Sequence, residues 1–196
     1  MKIIGIENNI FESVDSQDFS IFCIPDSSII RNNDNFYIPN FSNQITAQLG
    51  MYFSLSKIGK HLNPEFIARY YKAYGVAINF VALNTLHDCF AKSVAPDIAY
   101  GFDNSFAISN MQIQADDIYV RNAEFAFLYN SQHIYFSATY IIEAMHRAIA
   151  QASEYYTIKI GDLFFVPFAK LPNFVAINDT FEAYINNQHL LSCTVK

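Results

Sequence analysis

The run Ile45-Thr46-Ala47-Gln48-Leu49-Gly50-Met51-Tyr52-Phe53-Ser54-Leu55-Ser56 alternates almost without fault. Side chains along a strand point to opposite faces at period two. Ile45, Ala47, Leu49, Met51, Phe53 and Leu55 are therefore predicted to face a core, with Thr46, Gln48, Gly50, Tyr52, Ser54 and Ser56 on a polar, non-core face. Such a strand needs partners. Apolar runs at Lys2–Ile6, Phe19–Ile24, Gly75–Val81, Ile118–Val120, Glu124–Tyr129, Asp162–Phe168 and Phe181–Ile185 supply them. The chain's 25 Ile, 19 Phe and 13 Tyr favour sheet over helix.

Helices are marked at three places. Asn63-Pro64-Glu65 offers a cap, a first-turn proline and an early acid; Phe66, Ile67, Tyr70, Tyr71 and Tyr74 then read as an apolar stripe that Gly75 ends. A second helix is predicted from Ser137, with Ile141, Ile142, Met145, Ala148, Ile149 and Ala152 at three-four spacing. A weaker one, capped by Asn84, holds Leu86, Cys89 and Phe90. No linker or repeat divides the chain, and the Asn-rich Arg31–Asn35 is only loop-sized. Helices set into a strand-rich sequence predict a mixed α+β fold over residues 1–196, one domain with one core.

Composition narrows the function. Of 196 residues 52% are apolar and only 15% charged; glycine numbers 6, whereas asparagine numbers 18. The chain is thus short of charge and of flexible backbone, which most active sites use. Net charge is −6 and the 12 Lys and Arg are scattered, so the basic stripe of a nucleic-acid binder is missing. Asn79 interrupts the longest apolar run, Val76–Leu83, well short of a membrane span. The opening Met1–Glu7 reads as a strand rather than a signal peptide. Three distant cysteines, Cys23, Cys89 and Cys193, fit a reduced compartment. The expectation is a soluble, cytoplasmic protein that binds neither nucleic acid nor membrane.

No catalytic group stands out. His61, His87, His133, His146 and His189 form no metal-ligand spacing on a helix. His87 reads as a surface or boundary residue, His146 as part of a solvated face with Glu143 and Arg147, and His61 and His133 as loop residues. Asp116-Asp117 suits a strand entry better than an acid–base pair, and Cys89 a buried small hydrophobe better than a nucleophile.

The order of short segments nonetheless resembles the fumarylacetoacetate hydrolase family. Ile4-Gly5, followed by Asn8, is similar to its opening Ile-Gly-x-Arg-Asn-Tyr; Pro25-Asp26-Ser27-Ser28 to its Lys-Pro-Asp-Ser; and Phe36-Tyr37-Ile38-Pro39-Asn40-Phe41-Ser42 to its Tyr-x-Pro-Asp-Phe-Ser. Lys57-Ile58-Gly59-Lys60-His61 resembles Lys-x-Gly-Lys, Phe102-Asp103-Asn104-Ser105 resembles Phe-Asp-Gly-Ser, and Asn130-Ser131-Gln132 stands for Asn-Gly-Glu. Ile160-Gly161-Asp162-Leu163-Phe164 is similar to Gly-Asp-Leu-Ile. The series runs in order along nearly the whole chain, which resembles 2-keto-4-pentenoate hydratase and acylpyruvase-like members.

This resemblance implies a mixed β-roll with a few peripheral helices, a dimer, and Mg²⁺ or Mn²⁺ held by three carboxylates to act on 2-oxo or diketo acids. Two of the carboxylates come from a Glu-x-Glu strand and one from an Asp that opens Asp-x-Thr-Ala-Arg-Asp. Here Gln48 and Gly50 stand at the first two positions and Asn79 at the third. The Arg implied to hold a substrate carboxylate is Leu83, the Lys before Pro-Asp-Ser is Ile24, and the Lys before Phe-Asp is Tyr100. Val166-Pro167-Phe168-Ala169-Lys170 replaces a Gly-Thr-Pro loop, and the family's lid His falls near Glu12.

Removing the anions removes the reason to keep nearby cations, since unpaired buried charge is costly. The sequence thus predicts no catalytic residue, no metal and no cofactor. The remnant cleft comprises Gln48, Gly50, Asn79, Leu83, Tyr100 and Ile24. The expected function is a catalytically inactive structural or binding subunit, a homodimer or a heterodimer with an active paralogue. One alternative is a metal-dependent hydrolase, hydratase or decarboxylase of 2-oxo acids that recruits Asp88, Asp103 or Glu12. Another is a small-molecule binding module, against which a cleft filled by Phe80, Phe106 or Phe168 would count.

Overall fold

The computed structural model describes residues 1–7, 19–114, 122–137 and 141–196. Asn8, Glu12, Asp116, Asp117 and the strand expected at Ile118–Val120 lie outside the described residues. Among the described residues eight strands form the larger sheet: β1 (Lys2–Ile6), β2 (Ile21–Pro25), β3 (Ile29–Ile30), β4 (Ile45–Leu55), β5 (Tyr71–Ala82), β6 (Phe106–Ile108), β7 (Ile113–Gln114) and β10 (Leu163–Lys170). Its order is β2-β1-β10-β4-β5-β6-β3, with β7 beside β5. The smaller sheet, β12-β11-β8-β9, is made of β8 (Glu124–Tyr129), β9 (Gln132–Ser137), β11 (Thr180–Ile185) and β12 (Gln188–Thr194). Among the described residues three α-helices, α1 (Leu83–Ala91), α2 (Asp97–Tyr100) and α3 (Ile141–Tyr155), complete a mixed α+β roll. None of the described helices is long and apolar enough to cross a membrane.

The six apolar residues of β4 all enter the main core, joined by Phe125, Phe127 and Phe181 of the smaller sheet and by Ile142, Met145, Ala148, Ile149 and Ala152 of α3. The opposite face of β4 differs from the sequence expectation. Thr46, Gln48, Tyr52 and Ser54 are buried as well. A second apolar cluster, containing Tyr52, Ala77, Val81, Phe106 and Phe165, roofs that face with Leu86 of α1 and Ala99 and Tyr100 of α2. A polar pattern on one strand reports its own side chains, not what neighbouring elements lay over them.

Other boundaries also moved. The helix expected to run to Tyr74 is a 3-10 helix, Pro64–Arg69, with the Asn63 side chain accepting from the Glu65 amide at 3.0 Å. Tyr71 and Tyr74 instead pair with Leu55 and Phe53 as strand residues, where their rings join the core. Asn84 does not cap α1; it lies inside the first turn and accepts from Ser42 Oγ. Ser137 closes β9, so the helix expected from it is described only from Ile141, and His133 is a strand residue opposite Leu128. Val166–Lys170, expected as a loop remnant, continues β10 with a bulge between Pro167 and Ala169.

The scarcity of glycine has a structural counterpart. Ten described non-glycine residues have positive φ, and seven of them are Asn: 32, 33, 104, 130, 178, 186 and 187. Two-residue hairpin turns that need positive φ at both central positions use Asn130-Ser131 and Asn186-Asn187. Asn tolerates this region better than other residues with a Cβ.

Asp179 ties the smaller sheet to the loop before it. Its carboxylate accepts from Tyr129 Oη at 2.6 Å, Ala176 N at 2.7 Å and Asn130 Nδ2 at 2.8 Å. Burial pushes the Asp179 pKa up, but the three donors outweigh it and hold the carboxyl below its ordinary value. Burial, the hydrogen bond to Asp179 and its charge push Tyr129 up to about 12. A lowered folded pKa stabilises above the unfolded value, and that contribution is lost as pH falls through the folded one. Asp179→Ala is therefore expected to lose about 1–3 kcal/mol at pH 7. Urea unfolding of the two proteins should converge as the pH drops below about 4; a gap that stays constant with pH would refute the assignment.

Candidate functional site

Gln48 and Asn79 are direct cross-strand partners at the centre of β4 and β5, with side chains on the face turned away from the main core. Their polarity is spent on each other. Asn79 Nδ2 donates to Gln48 Oε1 at 3.1 Å, and Gln48 Nε2 donates to Glu7 Oε2 at 3.3 Å. Glu7 Oε1 lies 3.9 Å from Lys170 Nζ, and the Tyr100 hydroxyl is turned to the same carboxylate. Burial, then the nearby Glu7 carboxylate, push the Tyr100 pKa upward. Asn79 Oδ1, fully buried, has no hydrogen-bond partner among the described residues.

Gly50 follows Gln48 on the same face, where the resemblance places a second Glu. A Cβ built there would lie 2.1 Å from the Val166 carbonyl oxygen, 2.8 Å from Pro167 Cα and 2.9 Å from a Phe165 ring carbon. Two of these three are backbone atoms of the neighbouring strand, beside its bulge. The direction a ligating side chain would take is filled.

The remaining predicted positions separate. Tyr100 reaches the polar group through Glu7, and its ring stacks on Phe22 at 4.4 Å. Ile24 is fully buried in the second apolar cluster, and Leu83 packs at its edge. Phe106, opposite Asn79 in the ladder, fills part of the same face, whereas Phe80 and Phe168 belong to the main core. Asp88 is exposed and pairs with Lys92; Asp103 is exposed in its loop. All three cysteines are free, and burial lifts the Cys193 thiol to about 11.

Glu7 and Lys170 are the residues that sequence reasoning missed. The signal for Glu7 was a reversal of charge: it stands where the opening Ile-Gly-x-Arg-Asn-Tyr carries Arg. Lys170 is cross-strand from Gln48, a register that no local pattern reveals.

The implied divalent metal does not fit these residues. Mg²⁺ and Mn²⁺ favour several oxygen donors with carboxylates among them. Here Gln48 Oε1 is already used by Asn79, Gly50 offers no side chain, and among the described residues Glu7 is the one carboxylate in contact. Among the described residues no three His, Cys, Asp or Glu gather at any point.

No protein-family model and no curated protein sequence matches the chain. Solved structures do match in shape. A Yersinia pestis protein described as of the fumarylacetoacetate hydrolase family superposes with TM-score 0.85 at 16% identity, covering 100% of this chain and 92% of that one. Fumarylpyruvate hydrolase from Pseudomonas aeruginosa, solved with Mn²⁺ and pyruvate, gives 0.82 at 15%, over 99% and 88%. The 2-hydroxyhepta-2,4-diene-1,7-dioate isomerase of Mycobacterium marinum gives 0.82 at 15%, over 99% and 73%. Such identities speak for architecture alone, and the chain has the fold of the fumarylacetoacetate hydrolase family.

Proposed function

We propose that this chain is a catalytically silent protein of the fumarylacetoacetate hydrolase fold, a single domain serving as a structural or binding subunit. The observation that carries the reading is the Gln48–Asn79 pair, whose amides bond each other and Glu7 beside a Gly50 that backbone closes off. Carboxylates at positions 48 and 79 would repel each other unless a cation lay between them; amides hold the same shape with no charge to neutralise. Ile24 and Leu83 extend that logic, because a cation there would lack its partner. The subunit acts in the cytoplasm as a homodimer or beside an active paralogue. The names of the structural neighbours favour a second reading, a metal-dependent hydrolase or isomerase of 2-oxo acids.

Calorimetric titration with Mn²⁺ and Mg²⁺, joined to oxaloacetate decarboxylation and acylpyruvate cleavage assays, separates the two. The expected result is no saturable metal heat and no turnover above the buffer rate. Millimolar or tighter metal binding accompanied by turnover would overturn the proposal in favour of the enzyme.

A further inference from the structure

Three groups from different elements bear on the Glu7 carboxylate: Gln48 Nε2 of β4 donates to it at 3.3 Å, Lys170 Nζ at the end of β10 pairs with it at 3.9 Å, and the Tyr100 hydroxyl at the end of α2 is turned to it. Gln48 and Tyr100 form a buried floor. The Glu7 and Lys170 side chains stay 29% and 44% exposed, so the group opens to solvent on that side. An amide N–H, a phenol O–H and an ammonium aimed at one pair of oxygens make up a carboxylate-binding site. Its occupant is the chain's own side chain.

We propose that Gln48, Tyr100 and Lys170 form a site for small monocarboxylates that Glu7 fills as an internal ligand, and that an external carboxylate takes it when Glu7 is absent. Without an anion the buried Gln48 and Tyr100 donors would lose their acceptor, which a water-excluded floor penalises. Lys170 brings one positive charge and among the described residues no second cation is in contact, so one carboxylate balances the site and a dicarboxylate leaves an excess charge. The proposal does not rest on catalytic silence, because the donors would bind an anion whether or not the chain turns over a substrate.

The test is cavity rescue in the full chain. Glu7→Ala is expected to melt below the wild type and to recover at least half of the lost melting temperature as acetate is raised. Sodium chloride at the same ionic strength should recover none. Site binding raises stability as the logarithm of one plus ligand concentration over Kd, so above Kd the melting temperature should climb in proportion to log acetate. The wild type, with its site filled, should respond to acetate as to chloride, and Glu7→Ala combined with Lys170→Ala should lose the rescue. If Glu7→Ala does not fold alone, its refolding yield in acetate against chloride gives the same reading. Equal effects of acetate and chloride, or equal acetate responses in wild type and Glu7→Ala, would overturn the assignment.

Discussion

Gly50→Ala is expected to keep the protein from reaching its native fold, or to leave it at least about 3–5 kcal/mol less stable. Total stabilities of only about 5–15 kcal/mol are usual, so the loss is a large fraction of the whole. The cause is local and rigid. A methyl at this position meets the Val166 carbonyl oxygen at 2.1 Å and Pro167 Cα at 2.8 Å, and neither moves without opening the β4–β10 ladder. Gly59 is a useful control: its Cβ would meet only side-chain atoms of Leu62 and Tyr70, at 2.7 Å, which can rotate away. Urea unfolding followed by circular dichroism should rank Gly50→Ala far below Gly59→Ala. A Gly50→Ala protein within about 1 kcal/mol of wild type would show that the strand can yield. The same contact bears on function. Gly50→Glu, the acid that the resemblance would restore, has nowhere to go, so the loss of that carboxylate is built into the path of the neighbouring strand and is not reversed by one substitution.

How much of this was readable beforehand depends on the range of the interaction. The alternation in Ile45–Ser56 identified the core face of β4 correctly, because period two is a property of the strand itself. The character of the other face was misread, since its cover comes from α1 and α2, distant in sequence. The tyrosines after Pro64 fit helical spacing on paper. In the fold Tyr71 and Tyr74 pair with β4, where large rings gain more from burial between sheets than from one exposed helical turn. The positions of Gln48 and Asn79 on one strand face each were legible; that they lie opposite each other was not, because register between strands is set by tertiary packing. Glu7 and Lys170 joined the site by the same kind of long-range pairing.

The composition also needs two separate readings. The shortage of charge has a local consequence at the centre of the sheet, where amides and apolar groups occupy positions for which the resemblance implies acids and bases. The shortage of glycine does not mean a shortage of turns. Asn104 takes the glycine position of Phe-Asp-Gly-Ser with φ of 57°, and Ser131 that of Asn-Gly-Glu with φ of 66°. An asparagine-rich chain can make these turns with a Cβ present, at a cost spread over ten residues.

Asp162→Ala is expected to lower stability by about 3–5 kcal/mol, the range for breaking a buried charge pair from one side. Gly161, with φ of 86°, lets the chain reverse between Lys159 and Asp162, and the Asp162 amide closes that turn on the Lys159 carbonyl at 3.1 Å. The turn delivers a carboxylate that is 2% exposed. One oxygen accepts from the Lys2 amide at 3.1 Å; the other accepts from the Lys159 amide at 2.9 Å and pairs with Lys2 Nζ. The group thereby fixes the start of β1 beside the start of β10, a parallel pair one strand in from the β2 edge of the larger sheet. Alanine would leave two backbone donors and an ammonium without their acceptor, although Lys2 Nζ keeps the Thr157 carbonyl at 2.9 Å and part of its solvent. For a chain of this size each kcal/mol lowers the melting temperature by about 2–4 °C. Asp162→Asn retains one acceptor oxygen and should lose less than alanine, yet more than nothing, because its amide nitrogen is itself a donor and cannot accept the remaining bonds. If the asparagine and alanine variants melt together with wild type, Asp162 does not hold the two strands; if asparagine falls as far as alanine, the charge on the carboxylate outweighs the backbone hydrogen bonds it accepts.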